Sequence, residues 1–174
     1  AVRETITLLR HSPDVGADHV LEEDLPAQPI IISADSTQVK QIFWNLARNS
    51  IQAMHDGGKL TIRLELLGRS RIRITFQDTG DGMPPERVEQ LFEPFSTSTS
   101  GGTGLGLSIV YQIIRDHNGS INVSSIEGEG TTITVELPQE HRRPTEDPAI
   151  EESIAPNPIR QHLNVKDVKD KVSA

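Results

Sequence analysis

The 174 residues contain no cysteine, which removes disulfide frameworks, thiolate metal sites and thiol nucleophiles together and fits a reducing, cytoplasmic setting. Aromatic residues are scarce. Four Phe, one Trp and one Tyr leave little for the stacking platforms that grip single-stranded nucleic acid. No apolar run approaches the roughly 20 residues that span a bilayer. Arg3 and Glu4 are followed by no apolar stretch of the kind a signal peptide carries. Basic residues are outnumbered, 17 against 25 acidic, for a net charge of −8. Such a balance repels polyanions and anionic surfaces, so nucleic acid and direct membrane contact are not expected partners. The chain also lacks an initiating Met and reads as a fragment with one core and its appendages.

What is present divides unevenly. Beyond Leu137 come five of the eleven prolines, with six basic and seven acidic residues and no sustained period; 138–174 therefore reads as a tail. Residues 1–137 keep a net charge of −7, so the acidity belongs to the folded part. Arg3–Arg10 has helical character and stops at Ser12-Pro13, as the end of a helix from a preceding domain would. Two short strands are expected at His19–Asp24 and Ile30–Ser33. Asp35 with Gln38 three residues on resembles a capping box. It opens a helix in which Val39, Ile42, Phe43, Leu46 and Ile51 recur at three and four. Beyond Gly57-Gly58, Leu60, Ile62 and Leu64 alternate, as do Ile72, Ile74 and Phe76 past Gly68, predicting a half-buried hairpin. A helix over Leu105–His117 precedes a second hairpin pairing Ile121 and Val123 with Ile133, Val135 and Leu137. Helices alternating with antiparallel hairpins predict one sheet with helices on one face.

Three elements could carry chemistry. Asn45 and Asn49, at i and i+4, project from one side of the long helix, roughly 5–6 Å apart. An amide oxygen can ligate a hard cation without adding charge, and Mg²⁺ keeps waters and substrate phosphates, so one protein amide suffices. Alone, the pair reads more readily as a solvated helix surface. Asp78-Thr79-Gly80-Asp81-Gly82-Met83 follows a strand directly; its glycines permit positive φ and close backbone approach, and a fixed carboxylate accepts from an exocyclic amine. Alone, this is also a plain Asp-Gly turn. Gly101-Gly102-Thr103-Gly104-Leu105-Gly106-Leu107-Ser108 is a glycine-rich turn entering the second helix, where backbone N–H groups converge on phosphate oxygens. It is not a Walker A loop, and no βαβ unit precedes it as a dinucleotide fingerprint requires. Between the last two elements lies Leu91-Phe92-Glu93-Pro94-Phe95, whose two Phe can anchor a loop to the core. The Ser96–Ser100 run that follows has the mobility a closing lid needs.

Taken in order, Asn45-Leu46-Ala47-Arg48-Asn49-Ser50, Asp78-Thr79-Gly80-Asp81-Gly82, Phe92-Glu93-Pro94-Phe95 and Gly102-Thr103-Gly104-Leu105-Gly106-Leu107 resemble the N, G1, F and G2 boxes of the catalytic, ATP-binding domain of bacterial sensor histidine kinases. The nitrogen-regulation and pilus-type subgroup is the most similar. The resemblance covers about residues 14–137 and implies a Bergerat-type two-layer α/β sandwich, its sheet mixed but mainly antiparallel, with helices on one face. It also implies that Mg-ATP is bound and that its γ-phosphoryl passes to a histidine for relay to a response regulator. By that resemblance Asn49 ligates Mg²⁺ and Asn45 lies near the phosphates. Asp78 takes the adenine amine, Gly80, Gly82 and Met83 line the base, and Thr131 supports Asp78 through a water. Residues 84–103 form the ATP lid, with Thr97 in it, and the amides of Gly102, Thr103, Gly104, Leu105, Gly106 and Leu107 cradle phosphates. Phosphoryl transfer is mostly positioning and charge stabilisation, which suits such a site.

Two departures stand out. Thr99 occupies the lid position where this subgroup usually has Lys, which removes a charge from the phosphate end. The family's phosphoacceptor histidine lies in a helical hairpin and is followed by an acidic residue. None of His11, His19, His55, His117, His141 and His162 has that context, and all read as loop or helix-end histidines. The acceptor is then expected on a separate domain of the same or a partner protomer, with residues 1–13 the stub of the hairpin that presents it. Two other readings remain. Related ATPases and anti-sigma serine kinases share the fold, but the hydrolases place a general-base Glu four residues before the metal Asn, where this chain has Asn45. A nucleotide-binding module without kinase activity is the other, and Thr99 keeps it open.

Overall fold

The strands β1 (His19–Asp24), β2 (Gly58–Leu67), β3 (Arg71–Asp78), β4 (Ser120–Ile126) and β5 (Gly130–Pro138) form one sheet in the order β1-β2-β3-β5-β4. This is the arrangement in a computed structural model, which describes residues 2–68, 70–93 and 105–139. Pro94, Phe95, Thr97, Thr99, Gly101, Gly102, Thr103, Gly104 and the rest of 94–104 lie outside those residues, as does the tail beyond Gln139. The helices are α1 (Val2–Arg10), α2 (Ser36–Gln52), α3 (Pro85–Glu89) and α4 (Gly106–Asp116). Among the described residues no helix is long and apolar enough to cross a membrane.

β2, β3, β5 and β4 pair antiparallel, while β1 runs parallel to β2. The sheet is therefore mixed and mainly antiparallel, as expected. Parallel neighbours need a crossover of a dozen or more residues, and α2 supplies it. The chain thus does contain a βαβ unit ahead of the glycine-rich turn, contrary to the sequence reading. The charged run Glu22-Glu23-Asp24 concealed the pairing direction of β1. The glycine-rich turn opens α4, outside that unit. Ile30–Ser33, expected as a strand, is irregular. Ile31 is 80% exposed while Ile30 and Ile32 tuck against the core. Ser33 gives its N–H to the Gln139 carbonyl at 3.0 Å, beyond the end of β5, so this alternation reflects a crossing segment with one wet side.

α2 starts where Asp35 accepts from the amides of Thr37 (2.7 Å) and Gln38 (3.3 Å), satisfying two of the four donors left open at a helix start. Those two amides hold the Asp35 carboxyl below its ordinary range. Val39, Ile42, Phe43, Leu46, Ala47 and Ile51 face the sheet, and Val110, Ile113 and Ile114 of α4 lie in the same core. Ile6 and Leu9 of α1 join it, and Lys40 pairs with Glu4 at 2.9 Å. Phe43 meets Phe76 of β3 edge-on, with ring centroids 5.3 Å apart.

Period-two alternation stacks the inward face of the sheet into rungs. Leu64, Ile74, Val135 and Ile121 form one; Ile62, Phe76, Ile133 and Val123 form the next. Continuing each strand by two residues gives Leu60, Asp78, Thr131 and Ser125. The core therefore ends in a rung of which three members are polar. The opposite sheet face is polar throughout its centre, with Arg73 bonded to both Glu65 and Glu136.

Candidate functional site

Asp78 continues the inward series Ile72, Ile74, Phe76 and is buried at 5% exposure. A buried carboxylate needs strong partners. Its Oδ1 accepts from Gly80 N at 3.1 Å and Thr131 N at 3.0 Å. Among the described residues no hydrogen bond engages Oδ2. Thr131, itself buried, thus reaches Asp78 directly through its own backbone. Its hydroxyl lies 2.9 Å from Ser125 Oγ.

The loop after Asp78 is fastened on three sides. Asp81 gives its N–H to the Ala53 carbonyl at the end of α2 (2.9 Å), and its carbonyl accepts from Gly128 N in the β4–β5 turn (2.6 Å). Met83 N–H donates to Ser125 Oγ at 2.8 Å. Two glycines make these contacts possible. At Gly80 a Cβ would fall 2.5 Å from the Ala53 carbonyl oxygen, and Gly82 has φ +65° with its missing Cβ directed at the Ile126 carbonyl.

At the other end, Asn45 and Asn49 are both half-buried on α2. Gly106, the first residue of α4, has no Cβ to collide with Asn45; one would sit 3.2 Å from Asn45 Oδ1. The amide therefore faces a helix N-terminus whose cap residue, Leu105, makes no side-chain bond to it, at the positive end of the helix dipole. Arg48, between the two Asn in sequence, turns away to Asp14 at 2.9 Å. Asn45, Asn49 and Ala53 recur at i+4, so one face of α2 runs about 12 Å from the start of α4 to the loop that Asp78 opens.

The structure thus gathers Asp78, Gly80, Gly82, Met83 and Thr131 at one end. Asn45 meets Gly106 at the other, with Leu105 and the half-buried Leu107 beside it, and Asn49 lies between. Thr97, Gly102, Thr103 and Gly104 lie outside the described residues, as does the lid beyond Glu93. Its earlier part forms α3, and Phe92 packs on Tyr111 of α4 with centroids 5.5 Å apart. His19 opens β1, where the expected strand began, rather than lying in a loop or at a helix end: Nδ1 accepts from Gly16 N–H and Nε2 lies 3.0 Å from the Met54 carbonyl. Sequence reasoning missed Ser125. The signal was available, because a hydroxyl interrupts the inward apolar series Ile121, Val123.

The family of histidine kinase-, DNA gyrase B- and HSP90-like ATPases matches residues 34–141. Sporulation kinase E of Bacillus subtilis (strain 168) is 36% identical over 140 residues, 79% of this chain and 18% of the relative. Sensor histidine kinase ZraS of Salmonella typhi is 41% identical over 107 residues, 62% of this chain and 23% of the relative. The chain therefore spans about a fifth of the length of these relatives. Among solved structures, the nucleotide-free catalytic domain of histidine kinase ThkA superposes with a TM-score of 0.70 at 31% identity, covering 80% of this chain and 92% of that one. A buried carboxylate at the end of a central strand, an amide beside the start of α4 and a family match spanning both lead to one assignment: this chain belongs to the histidine kinase-, DNA gyrase B- and HSP90-like ATPase family and holds the ATP-binding catalytic domain of a sensor histidine kinase.

Proposed function

We propose that this chain binds Mg-ATP along the face of α2 between Asp78 and the start of α4. It then donates the γ-phosphoryl to a histidine on a helical hairpin domain of the same or a partner protomer, for relay to a response regulator in the cytoplasm. Residues 1–13 are the end of that hairpin, and the packing of Ile6 and Leu9 against the core supports a fixed junction. One observation carries the reading. A buried carboxylate presents one oxygen to two backbone donors, with no hydrogen bond to the other among the described residues, at the far end of a helix whose Asn45 amide lies beside the start of α4.

Adenine offers an amine donor where guanine offers a carbonyl, so Asp78 Oδ2 selects the base while Gly80, Gly82 and Met83 wall it. The amides of Leu105, Gly106 and Leu107, with Thr97, Gly102, Thr103 and Gly104, hold the phosphates. Among the described residues no group of three His, Cys, Asp or Glu could hold a metal. The donor set instead fits an ion brought with the nucleotide, in which Asn49, with Asn45 beside it, adds a neutral oxygen to phosphate and water ligands. Mg²⁺ bound there supplies charge neutralisation for the transferred group. α2 carries no carboxylate anywhere between Ser36 and Gln52, so this helix offers no base to activate water, which favours transfer to histidine over hydrolysis.

Calorimetry with a non-hydrolysable ATP analogue, with and without Mg²⁺, tests binding; radiolabelled ATP and an added histidine-bearing hairpin domain test transfer. Binding with acid-labile label on the hairpin is the expected result. Binding without transfer would reduce the chain to a nucleotide-binding module, and no binding by the folded protein would refute the site.

A further inference from the structure

One member of the polar rung has no role in the site as described so far. Ser125 sits on β4 in phase with Ile121 and Val123, opposite Thr131, where the alternation calls for an apolar side chain. Its Oγ takes part in three contacts: Met83 N–H donates to it at 2.8 Å, it donates to the Gly130 carbonyl at 3.1 Å, and Thr131 Oγ1 lies 2.9 Å away. A hydroxyl has one proton and two lone pairs. With the Met83 amide and the Thr131 hydroxyl donating in and its own proton on Gly130, all three are used.

That saturation links two groups that share no direct hydrogen bond among the described residues. Thr131 N–H holds Asp78 Oδ1, while Met83 belongs to the loop that walls the base. The path Met83–Ser125–Thr131–Asp78 fixes the wall to the carboxylate through one side chain. The other fastenings of the loop, at Asp81, hold its middle and leave its Met83 end to Ser125.

We infer that Ser125 is a positioning residue for purine recognition, setting the spacing between the Met83 wall and the Asp78 carboxylate so that base and amine are read together. This rests on the nucleotide reading of the site. Replacing Ser125 with Ala leaves the Met83 N–H and the Thr131 hydroxyl without this partner. Its effect falls on the base and leaves the phosphate end alone.

The test measures ADP and GDP affinity of the full chain, with and without Mg²⁺, for the parent, Ser125→Ala and Ser125→Thr. Ser125→Ala should weaken ADP binding about fivefold to thirtyfold, the range expected for one buried hydrogen bond in a constrained loop. The preference for ADP over GDP should shrink, and the ratio of Mg²⁺-loaded to Mg²⁺-free affinity should stay at the parent value. Ser125→Thr, which keeps the hydroxyl, should restore affinity to within about threefold. An alanine variant that matches the parent in affinity and base preference overturns the inference while leaving the nucleotide reading intact, as does a threonine variant no better than alanine. No ADP binding by the parent overturns both. Hydrogen exchange adds a readout independent of any variant's folding: the Met83 amide should be protected in the parent without nucleotide, and exchange at an unprotected rate would overturn the role of Ser125.

Discussion

Asp78→Asn separates recognition from architecture at a single atom. The amide oxygen can occupy the place of Oδ1 and keep both backbone donors, Gly80 N at 3.1 Å and Thr131 N at 3.0 Å. Two charge-assisted bonds become neutral ones, a loss of about 1–2 kcal/mol that is partly offset because a buried charge is removed. Folding should therefore survive. The amide nitrogen then stands where Oδ2 stood, and an adenine amine would meet a donor. Losing a charge-assisted bond (about 1.5–3 kcal/mol) and leaving donors unsatisfied (about 1–3 kcal/mol) sum to about 2.5–6 kcal/mol, or roughly two to four powers of ten in affinity. Guanine presents an acceptor at the same position, so the preference between ATP and GTP should narrow or reverse. The assay is calorimetry with both nucleotides beside urea melts of parent and variant. An Asn variant that melts like the parent and binds ATP within about threefold of it would refute the assignment of Oδ2 to the amine.

Gly82→Ala should cost more stability than Gly128→Ala, although both glycines have positive φ, +65° and +80°. Both pay the left-handed penalty of about 1–2 kcal/mol. Only at Gly82 does the new Cβ meet a backbone carbonyl, that of Ile126, whereas Gly128 faces open space; equal costs in urea melts would refute the close approach. On the proposed site, Asn49→Asp would put a full charge beside the metal and phosphates, so nucleotide affinity should become more steeply dependent on Mg²⁺ concentration while the ATP over GTP preference holds; a Mg²⁺ titration of both nucleotides checks this. For Asp35, whose folded-state pKa is lowered by the Thr37 and Gln38 amides, the stabilisation is present above the unfolded value near 3.9 and disappears as pH falls through the folded value. The melting-temperature gap between parent and Asp35→Asn should thus shift below about pH 4, where the carboxylate takes up its proton, and a gap unchanged there would assign the stabilisation elsewhere.

Much of this was legible because two periods carry position as well as type. The three-and-four spacing of α2 put Asn45 and Asn49 on one side, whereas the sequence reading sets Asp78 just past its strand and reaches Thr131 only through the resemblance; the structure extends β3 to Asp78 and β5 back to Gly130, so the period of two sets both on the core face. The same rule applied to β4 would have placed Ser125 beside them, but a serine ending an apolar series resembles any strand end until the cross-strand register is known. Register also decided the two misread elements. β1 alternates weakly because Glu22, Glu23 and Asp24 sit at a sheet edge, so its parallel pairing left no trace in its composition. Ile30–Ser33 alternates because it lies across the core with no strand partner. α3, only five residues long and opened by Pro84-Pro85, has no buried face and so no hydrophobic period to read.

The core and the site are built as one object, and the aromatic pair shows how. Phe43 lies two residues before Asn45 on α2, and Phe76 two residues before Asp78 on β3; their rings meet edge-on at 5.3 Å. That contact fixes the helix against the strand one rung before β3 leaves the apolar interior, while α2 goes on burying Leu46, Ala47 and Ile51, so the separation of the amide pair from the carboxylate is set by close packing, which does not deform continuously. A misplacement of about 1 Å can cost some hundredfold in a reaction that depends on positioning, and loops alone would not hold that tolerance. The polar rung Asp78, Thr131, Ser125 next to Ile62, Phe76, Ile133 and Val123 follows from the same logic. Placing the carboxylate that we propose reads adenine one step beyond the last apolar layer gives it rigid support and buries it, while the neighbouring hydroxyls and amides supply the partners its burial demands.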